Sequence, residues 1–129
     1  MKKERTVAYQ GSKLYNFQPL AQVNVLESID TEVGKGAQVA SGATVTVHYT
    51  GALAKNGIIF QSTHDSGKAA TFSLDEVIEG WTQGIPGMRV GGSRRLVIPA
   101  VQGYGDESPA KNIPANSDLV FDIDLIAIR

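Results

Sequence analysis

The 129-residue chain contains no cysteine, only two histidines and a single tryptophan. Without cysteine it forms no disulfide and has no thiolate nucleophile or thiolate metal ligand. The histidines, His48 and His64, follow neither HExxH nor EF-hand spacing, and His48 falls on the polar side of a predicted strand, where a surface imidazole is expected. No GxSxG motif or phosphate-binding glycine loop is present. We therefore predict no metal site and no cofactor.

The chain also lacks a charge excess and long apolar runs. Its formal net charge is -1 at pH 7, whereas nucleic-acid binders usually carry a basic excess, so we expect no nucleic-acid partner. No apolar run approaches the roughly 18 residues that span a bilayer. No apolar stretch follows the charged residues 1–5, so we expect no signal peptide in this sequence. The prediction is a cytoplasmic monomer; an exported parent protein that has lost its signal is the alternative.

The first 22 residues differ in pattern from the rest. Residues 6–10 and 13–17 flank Gly11-Ser12, a pair that suits a two-residue hairpin turn. A flexible N-terminal arm is the alternative, since chain ends are often poorly ordered. The predicted division is an N-terminal extension, 1–22, and one domain, 23–129.

From Val23 onward the pattern is typical of β-structure. Residues 43–50 alternate strictly between apolar and polar side chains and are rich in β-branched residues, which predicts a strand. Asn56-Gly57 lies between two apolar stretches and predicts a hairpin. Further short strands are predicted at 23–29, 58–62, 70–74, 94–98 and 119–128.

One stretch has helical periodicity. Ser73 and Glu76 fit a capping box, with Ser73 as the N-cap. Val77, Ile78, Trp81 and Ile85 follow at helical spacing and form one apolar face, and Gly84 and Pro86 end it. A helix of two to three turns is too short to be stable alone, so it must pack across the sheet.

Two charged sets are expected to face solvent. Asp122 and Asp124 share the polar side of the last strand, as on a solvated sheet face. Arg89, Arg94 and Arg95 form a basic patch, which a solvated strand edge explains.

The aromatic residues and one long segment remain as candidates for function. Residues 99–117 have no periodicity, and an irregular connection of that length is often functional. Six of the nine aromatics lie between residues 49 and 121. An ordinary core cluster is one explanation. Tyr104 lies in the long segment rather than on a strand, where its hydroxyl could reach an otherwise apolar cleft.

Five short motifs together resemble the FKBP family of peptidyl-prolyl cis-trans isomerases. They come in the family's order and near its spacing, over about residues 23–129: Val-His-Tyr-Thr-Gly (47–51), Val-Ile-Glu-Gly-Trp (77–81), Gly-Tyr-Gly (103–105), Ile-Pro-Ala-Asn-Ser (113–117) and Leu-Val-Phe-Asp-Ile (119–123). The resemblance implies an α+β fold, a twisted antiparallel sheet of about five strands wrapped around one short α-helix. It implies an enzyme that accelerates X-Pro isomerisation in polypeptide substrates and assists folding.

The resemblance also implies the site. Trp81 would be the floor under the proline ring, and the Ile78 N–H and the Tyr104 hydroxyl would hold substrate carbonyls. The implied catalytic residues are Tyr49, Phe60, Trp81, Tyr104 and Phe121, and the implied substrate-binding residues are Gln61, Val77, Ile78 and Ile113.

Three positions depart from the commonest family pattern. Gln61 stands where Asp is usual, Ala70 where a pocket-edge Phe is common, and Asn112 where an apolar residue is frequent. We expect these changes to weaken binding of rapamycin- and tacrolimus-type macrolides. They also leave open an alternative: a proline-peptide or macrolide binding module with little catalytic activity.

Overall fold

The computed structural model describes residues 9–129. Six strands form one antiparallel sheet: β1 (Glu27–Glu32), β2 (Thr44–Leu53), β3 (Ile59–Ser62), β4 (Ala70–Ser73), β5 (Ser93–Ile98) and β6 (Leu119–Ile128). Two short α-helices, α1 (Thr63–Ser66) and α2 (Glu79–Gly84), and a 3-10 turn (Ala100–Gln102) complete the fold. The predicted α+β architecture is therefore confirmed.

The strand order is β1-β5-β6-β2-β3, and β4 also pairs with β2. The ten-residue strand β2 pairs with two strands along one edge: its first half pairs with β4 and its second half with β3. The hairpin at Asn56-Gly57 joins β2 to β3, and Gly57 has the positive φ, 75°, that such a turn requires.

The two faces of the sheet bury different clusters. The main core lies on the α2 side, where Tyr49, Trp81 and Phe121 pack with the apolar residues of β2, β5 and β6. On the other side Leu14 packs with Ala52, Ile59, Val97 and Val120. The alternation predicted for the last strand is correct, since Phe121 and Ile123 are buried while Asp122 and Asp124 are partly exposed.

The helix starts later than the capping box predicts. α2 begins at Glu79, with Ile78 as its N-cap. The Ser73 hydroxyl accepts a hydrogen bond from the Asp75 N–H in a turn. The reason is tertiary: Leu74 is fully buried and its N–H donates to Ala43, so the chain is still held at the sheet edge there. The four-residue helix α1 was not predicted.

The described part of the N-terminal segment pairs with the sheet next to β3. Lys13 forms an antiparallel bridge with Ile58, and the Gly11 N–H and the Ser12 carbonyl both bond to Ile59. Residues 6–8 of the predicted hairpin lie outside the described residues. The division of the chain after residue 22 stays a prediction.

No helix in residues 9–129 combines the length and apolar character needed to cross a membrane.

Candidate active site

A cavity of about 290 Å³ opens on the α2 side of the sheet. Its lining comes from β2, β3, β4, the residues before α2, α2 itself, the long segment and β6. Its lining is mostly apolar, with a few polar groups at the rim: Tyr49, Gln61, Phe72, Glu76, Val77, Ile78, Trp81, Tyr104 and Phe121. An apolar cavity with few polar groups is typical of a small-ligand site.

Three aromatic rings meet the indole of Trp81 edge to face. The ring centroids of Tyr49, Phe72 and Phe121 lie 5.1, 5.2 and 5.3 Å from it, with interplanar angles of 84°, 88° and 85°. This geometry is favourable for aromatic pairs, and it fixes the plane of the indole. Trp81 is only 4% exposed, yet it lines the cavity. The indole is therefore held by three perpendicular rings, while part of it still faces the open space.

Local sequence explains why the rings converge. Alternation along β2 points Tyr49 to the same side as Val45 and Val47. Gly51 follows on β2, and a Cβ atom there would lie 2.6 Å from Phe121 and 2.7 Å from Phe60. Only glycine leaves room for both rings above the strand, which accounts for the glycine at the end of the 47–51 motif.

The backbone of Tyr49 is held by a buried hydroxyl. Thr63, at the start of α1, accepts a hydrogen bond from the Tyr49 N–H at 2.9 Å, and its Oγ1 lies 3.3 Å from the Tyr49 carbonyl. His48 Nδ1 lies 2.8 Å from the same hydroxyl. The short helix thus fixes one wall of the cavity.

Two donors are positioned at the cavity. Ile78 has an extended backbone (φ -58°, ψ 150°) just before α2, and its carbonyl accepts from the Trp81 and Thr82 N–H groups. Within residues 9–129 the Ile78 N–H itself has no hydrogen-bond partner. The half-buried Tyr104 supplies a hydroxyl. A polar group of a ligand could bond to both.

Burial raises the pKa of both cavity tyrosines. For Tyr104 desolvation is the cause, and for Tyr49 desolvation is the larger cause, with the neighbouring Tyr104 adding to it. Both hydroxyls, protonated at neutral pH as in any tyrosine, can donate hydrogen bonds, and burial extends this to higher pH.

The structure brings together seven of the nine residues that the sequence singled out. Tyr49, Gln61, Val77, Ile78, Trp81, Tyr104 and Phe121 all line the cavity. Phe60 and Ile113 are buried in the main core instead, and Phe60 contacts Phe121 edge to face at 5.7 Å. The roles given to these nine residues stay predictions.

Two lining residues were missed. Phe72 lies two residues after Ala70 on the same side of β4, and it lines the cavity. The period-two spacing of a strand was the signal that could have identified it. Glu76 was assigned to a capping box and was therefore not considered as a residue at the rim of the cavity.

Three residues expected to be simply solvated have defined partners. His48 is half-buried and stacks on His64, with ring centroids 4.7 Å apart. Arg94 and Arg95 form ion pairs with Asp30 and Asp122, each at 2.6 Å. Residues 9–129 contain no group of three or more His, Cys, Asp or Glu side chains placed to hold a metal ion.

Comparison with known proteins gives a consistent result. Residues 35–126, more than half of the chain, match the family model described as FKBP-type peptidyl-prolyl cis-trans isomerase. The chain is 41% identical to FK506-binding protein 3 of Candida albicans over 99% of its length, and 42% identical to a probable FKBP-type peptidyl-prolyl cis-trans isomerase of Haemophilus influenzae over 74% of its length. It spans 30% and 39% of the lengths of these two relatives.

A solved structure agrees with the sequence relatives. A peptidyl-prolyl cis-trans isomerase from Pseudomonas syringae superposes with a TM-score of 0.71 at 37% identity, covering 80% of this chain and 74% of that one. The aromatic cavity therefore lies in a fold that the relatives share. The chain belongs to the FKBP-type peptidyl-prolyl cis-trans isomerase family.

Proposed function

We propose that this domain catalyses cis-trans isomerisation of X-Pro bonds in polypeptides, and so assists their folding. One observation carries the proposal: an indole in perpendicular contact with three aromatic rings lines an apolar cavity. The Ile78 N–H and the Tyr104 hydroxyl, on two other lining residues, have no hydrogen-bond partner within residues 9–129. A prolyl ring can lie against Trp81 while these donors hold adjacent carbonyl groups.

The chemistry needs neither a nucleophile nor a metal. Rotation about a peptide C–N bond is opposed by a barrier of about 18–20 kcal/mol, which arises from amide resonance. The two isomers of X-Pro differ by only about 0.5–1 kcal/mol, so both are populated and exchange slowly. A catalyst needs only to favour the twisted amide over the planar one.

The cavity offers two ways to do so. The planar amide has the larger dipole and is better solvated by water, so removing water raises its energy more than that of the twisted amide. The aromatic walls hold the prolyl ring in place while the preceding carbonyl rotates, which reduces the entropy lost on reaching the transition state. The Tyr104 hydroxyl is protonated at neutral pH, as tyrosine ordinarily is, and is therefore available as a donor.

A rate assay with proline peptides tests the proposal. The folded wild-type protein is expected to accelerate cis-to-trans exchange in an Ala-Leu-Pro-Phe peptide, and Phe121→Ala to reduce kcat/KM by at least about tenfold, because one cavity wall is removed. Tyr15→Phe is the control, since the Tyr15 ring is 87% exposed and lies outside the cavity. A folded wild-type protein that leaves the uncatalysed rate unchanged would rule out the enzyme.

A binding module with little activity is the second candidate, and Gln61 favours it. Gln61 lines the cavity without a charge, at the position where the family resemblance implies Asp. Titration with a proline peptide and with rapamycin, beside the rate assay, separates the two functions: binding without acceleration identifies a module. We also propose that macrolides bind this chain weakly, and that Gln61→Asp increases their affinity.

A further inference from the structure

Arg94 contacts the carboxyl end of the helix that carries Trp81. Its Nη1 donates hydrogen bonds to the carbonyls of Gly84 and Pro86, at 2.8 and 3.2 Å. Gly84 is the last residue of α2, three residues after Trp81. The Arg94 side chain is only 12% exposed, so these bonds are largely shielded from water.

The other side of the guanidinium is held by β1. Nε and Nη2 donate to the two carboxylate oxygens of Asp30, at 2.6 and 3.3 Å, and the two residues are direct cross-strand partners. A bidentate carboxylate fixes the plane of a guanidinium, and lysine has no equivalent geometry. The hydrogen bond from Arg94 lowers the pKa of Asp30, which keeps this carboxylate charged. Asp30 therefore orients the Arg94 guanidinium so that Nη1 points to the end of α2.

The same face of β5 supports the rest of α2. Residues 94, 96 and 98 share one side of the strand. A Cβ atom on Gly80 would lie 2.6 Å from Ile98, and one on Gly84 would lie 2.8 Å from Leu96. The helix thus lies in close contact with two side chains of β5, with Arg94 beyond its last turn. A helix of six residues is not stable alone, so these contacts decide where it lies.

We infer that Arg94 is a positioning residue for the cavity: through the end of α2 it sets the place of the Trp81 indole. The inference rests on the proposed function for its consequence in catalysis. If the end of α2 moves, the floor moves relative to the walls on β2 and β6, and the fit to a prolyl ring is lost. Displacements of this kind reduce rates strongly without removing any group that touches substrate.

The neighbouring arginine provides a matched control. Arg95 points to the opposite side of β5 and forms a bidentate pair with Asp122, at 2.6 and 2.8 Å, with a similarly buried side chain, 15% exposed. Its other hydrogen bonds go to the carbonyls of Tyr15 and Asn16, not to α2. Removing either arginine removes an equivalent ion pair, but only Arg94 contacts the helix.

The experiment compares Arg94→Met and Arg95→Met. Trp81 is the only tryptophan of the chain, so fluorescence excited at a wavelength that tyrosine does not absorb reports on the Trp81 indole alone. Arg94→Met is expected to shift the emission maximum, to increase acrylamide quenching and to lower kcat/KM by about tenfold. Arg94→Lys should recover only part of this loss, because the lysine ammonium lacks the planar fork that pairs with both carboxylate oxygens while donating to the carbonyls. Arg95→Met should leave the emission unchanged.

The results test the positioning role of Arg94 separately from the proposed isomerase activity. Equal emission, quenching and kcat/KM in the two methionine variants would overturn it. If Arg94→Met does not fold, Asp30→Asn tests the same contact from its exposed end, and unchanged quenching in that variant would also overturn the inference. If the wild-type protein has no isomerase activity, the proposed function fails, while the fluorescence comparison still decides the positioning of Trp81.

Discussion

The side-chain amide of Asn112 donates a hydrogen bond to the backbone carbonyl of Phe60 across 3.0 Å. Asn112 lies in the long segment that carries Tyr104, and Phe60 lies on β3 beside Gln61. The bond therefore ties the segment to the strand at the rim of the cavity. An apolar residue, which is frequent at this position in the family, could not form it.

Asn112→Leu is expected to loosen the long segment with little loss of global stability. The side chain of Asn112 is exposed, so the free energy of unfolding should fall by no more than about 1 kcal/mol. Hydrogen exchange should become faster at the Ile113 and Asn116 amides, which bond within the segment. Ser117→Ala, which removes a bond internal to the segment, is the control. Unchanged exchange at both amides would show that the bond does not hold the segment.

Thr63→Val is expected to lower both stability and activity. The substitution leaves the Tyr49 N–H without its hydrogen-bond acceptor, and a buried unsatisfied donor costs about 1–3 kcal/mol. The wall formed by Tyr49 should shift, reducing kcat/KM by about threefold to tenfold. Chemical denaturation and the peptide assay measure the two effects.

Thr71→Val is the matched control, because Thr71 forms an exposed hydroxyl pair with Thr46 at 2.8 Å. Thr71→Val should change the free energy of unfolding and kcat/KM much less than Thr63→Val does. Equal effects of the two valine variants would mean that the Thr63 hydroxyl has no special role.

Stability should decrease at alkaline pH because of the cavity tyrosines. Burial raises the pKa of Tyr49 and Tyr104 in the folded state, so the unfolded chain loses these protons first as pH rises. The stabilisation is fully present below the unfolded-state pKa and is lost as pH rises through the folded-state pKa. Denaturation between about pH 8 and about pH 11 should show this fall.

Phenylalanine variants assign the effect to these residues. Tyr104→Phe and Tyr49→Phe should each make the alkaline fall shallower, while Tyr15→Phe, at an 87% exposed position, should not. A slope that is the same in all three variants would contradict the assignment.

Leu14→Ala is expected to destabilise the domain without affecting catalysis. Leu14 is 7% exposed and packs on the side of the sheet away from the cavity. Truncating it should lower the free energy of unfolding by about 2 kcal/mol. The matched control is Leu20→Ala, since Leu20 is 37% exposed. Equal stability of the two variants would show that the N-terminal segment contributes little to the fold.

Much of the sheet could be predicted from local pattern. The strand at 43–50 and the last strand alternate because one side of each faces the main core, and that alternation is visible in the sequence. The predicted helix has the correct place in the chain, but its predicted start at Ser73 is too early. The capping-box pattern favours a helix at Ser73, whereas the buried Leu74 keeps the chain at the edge of the sheet. The local capping-box pattern at Ser73 cannot show that the next residue, Leu74, is buried in the core.

The site could be predicted in part. Trp81 and Tyr104 were identified by their place on the helix face and in the irregular segment, and the family resemblance gave the rest. Phe72 was missed because the residues implied by the resemblance do not include it, although it lies on the same side of β4 as Ala70 and lines the cavity. The partners of Arg94 and Arg95 were missed because both acids lie on other strands.

The sequence by itself determined which residues are apolar and at what spacing they recur. That spacing predicted the strands and the short helix, and it identified the aromatic residues that could form a cavity. It also placed Arg94 and Arg95 next to each other as apparent equivalents. Tertiary structure alone decided that one of them bonds to the end of α2 while the other bonds to the N-terminal segment. It also decided that Trp81 packs against three perpendicular rings and still lines the cavity. The physical reason is that alternation gives the side of a strand, whereas contacts between strands and helices distant in sequence depend on the register and twist of the whole sheet.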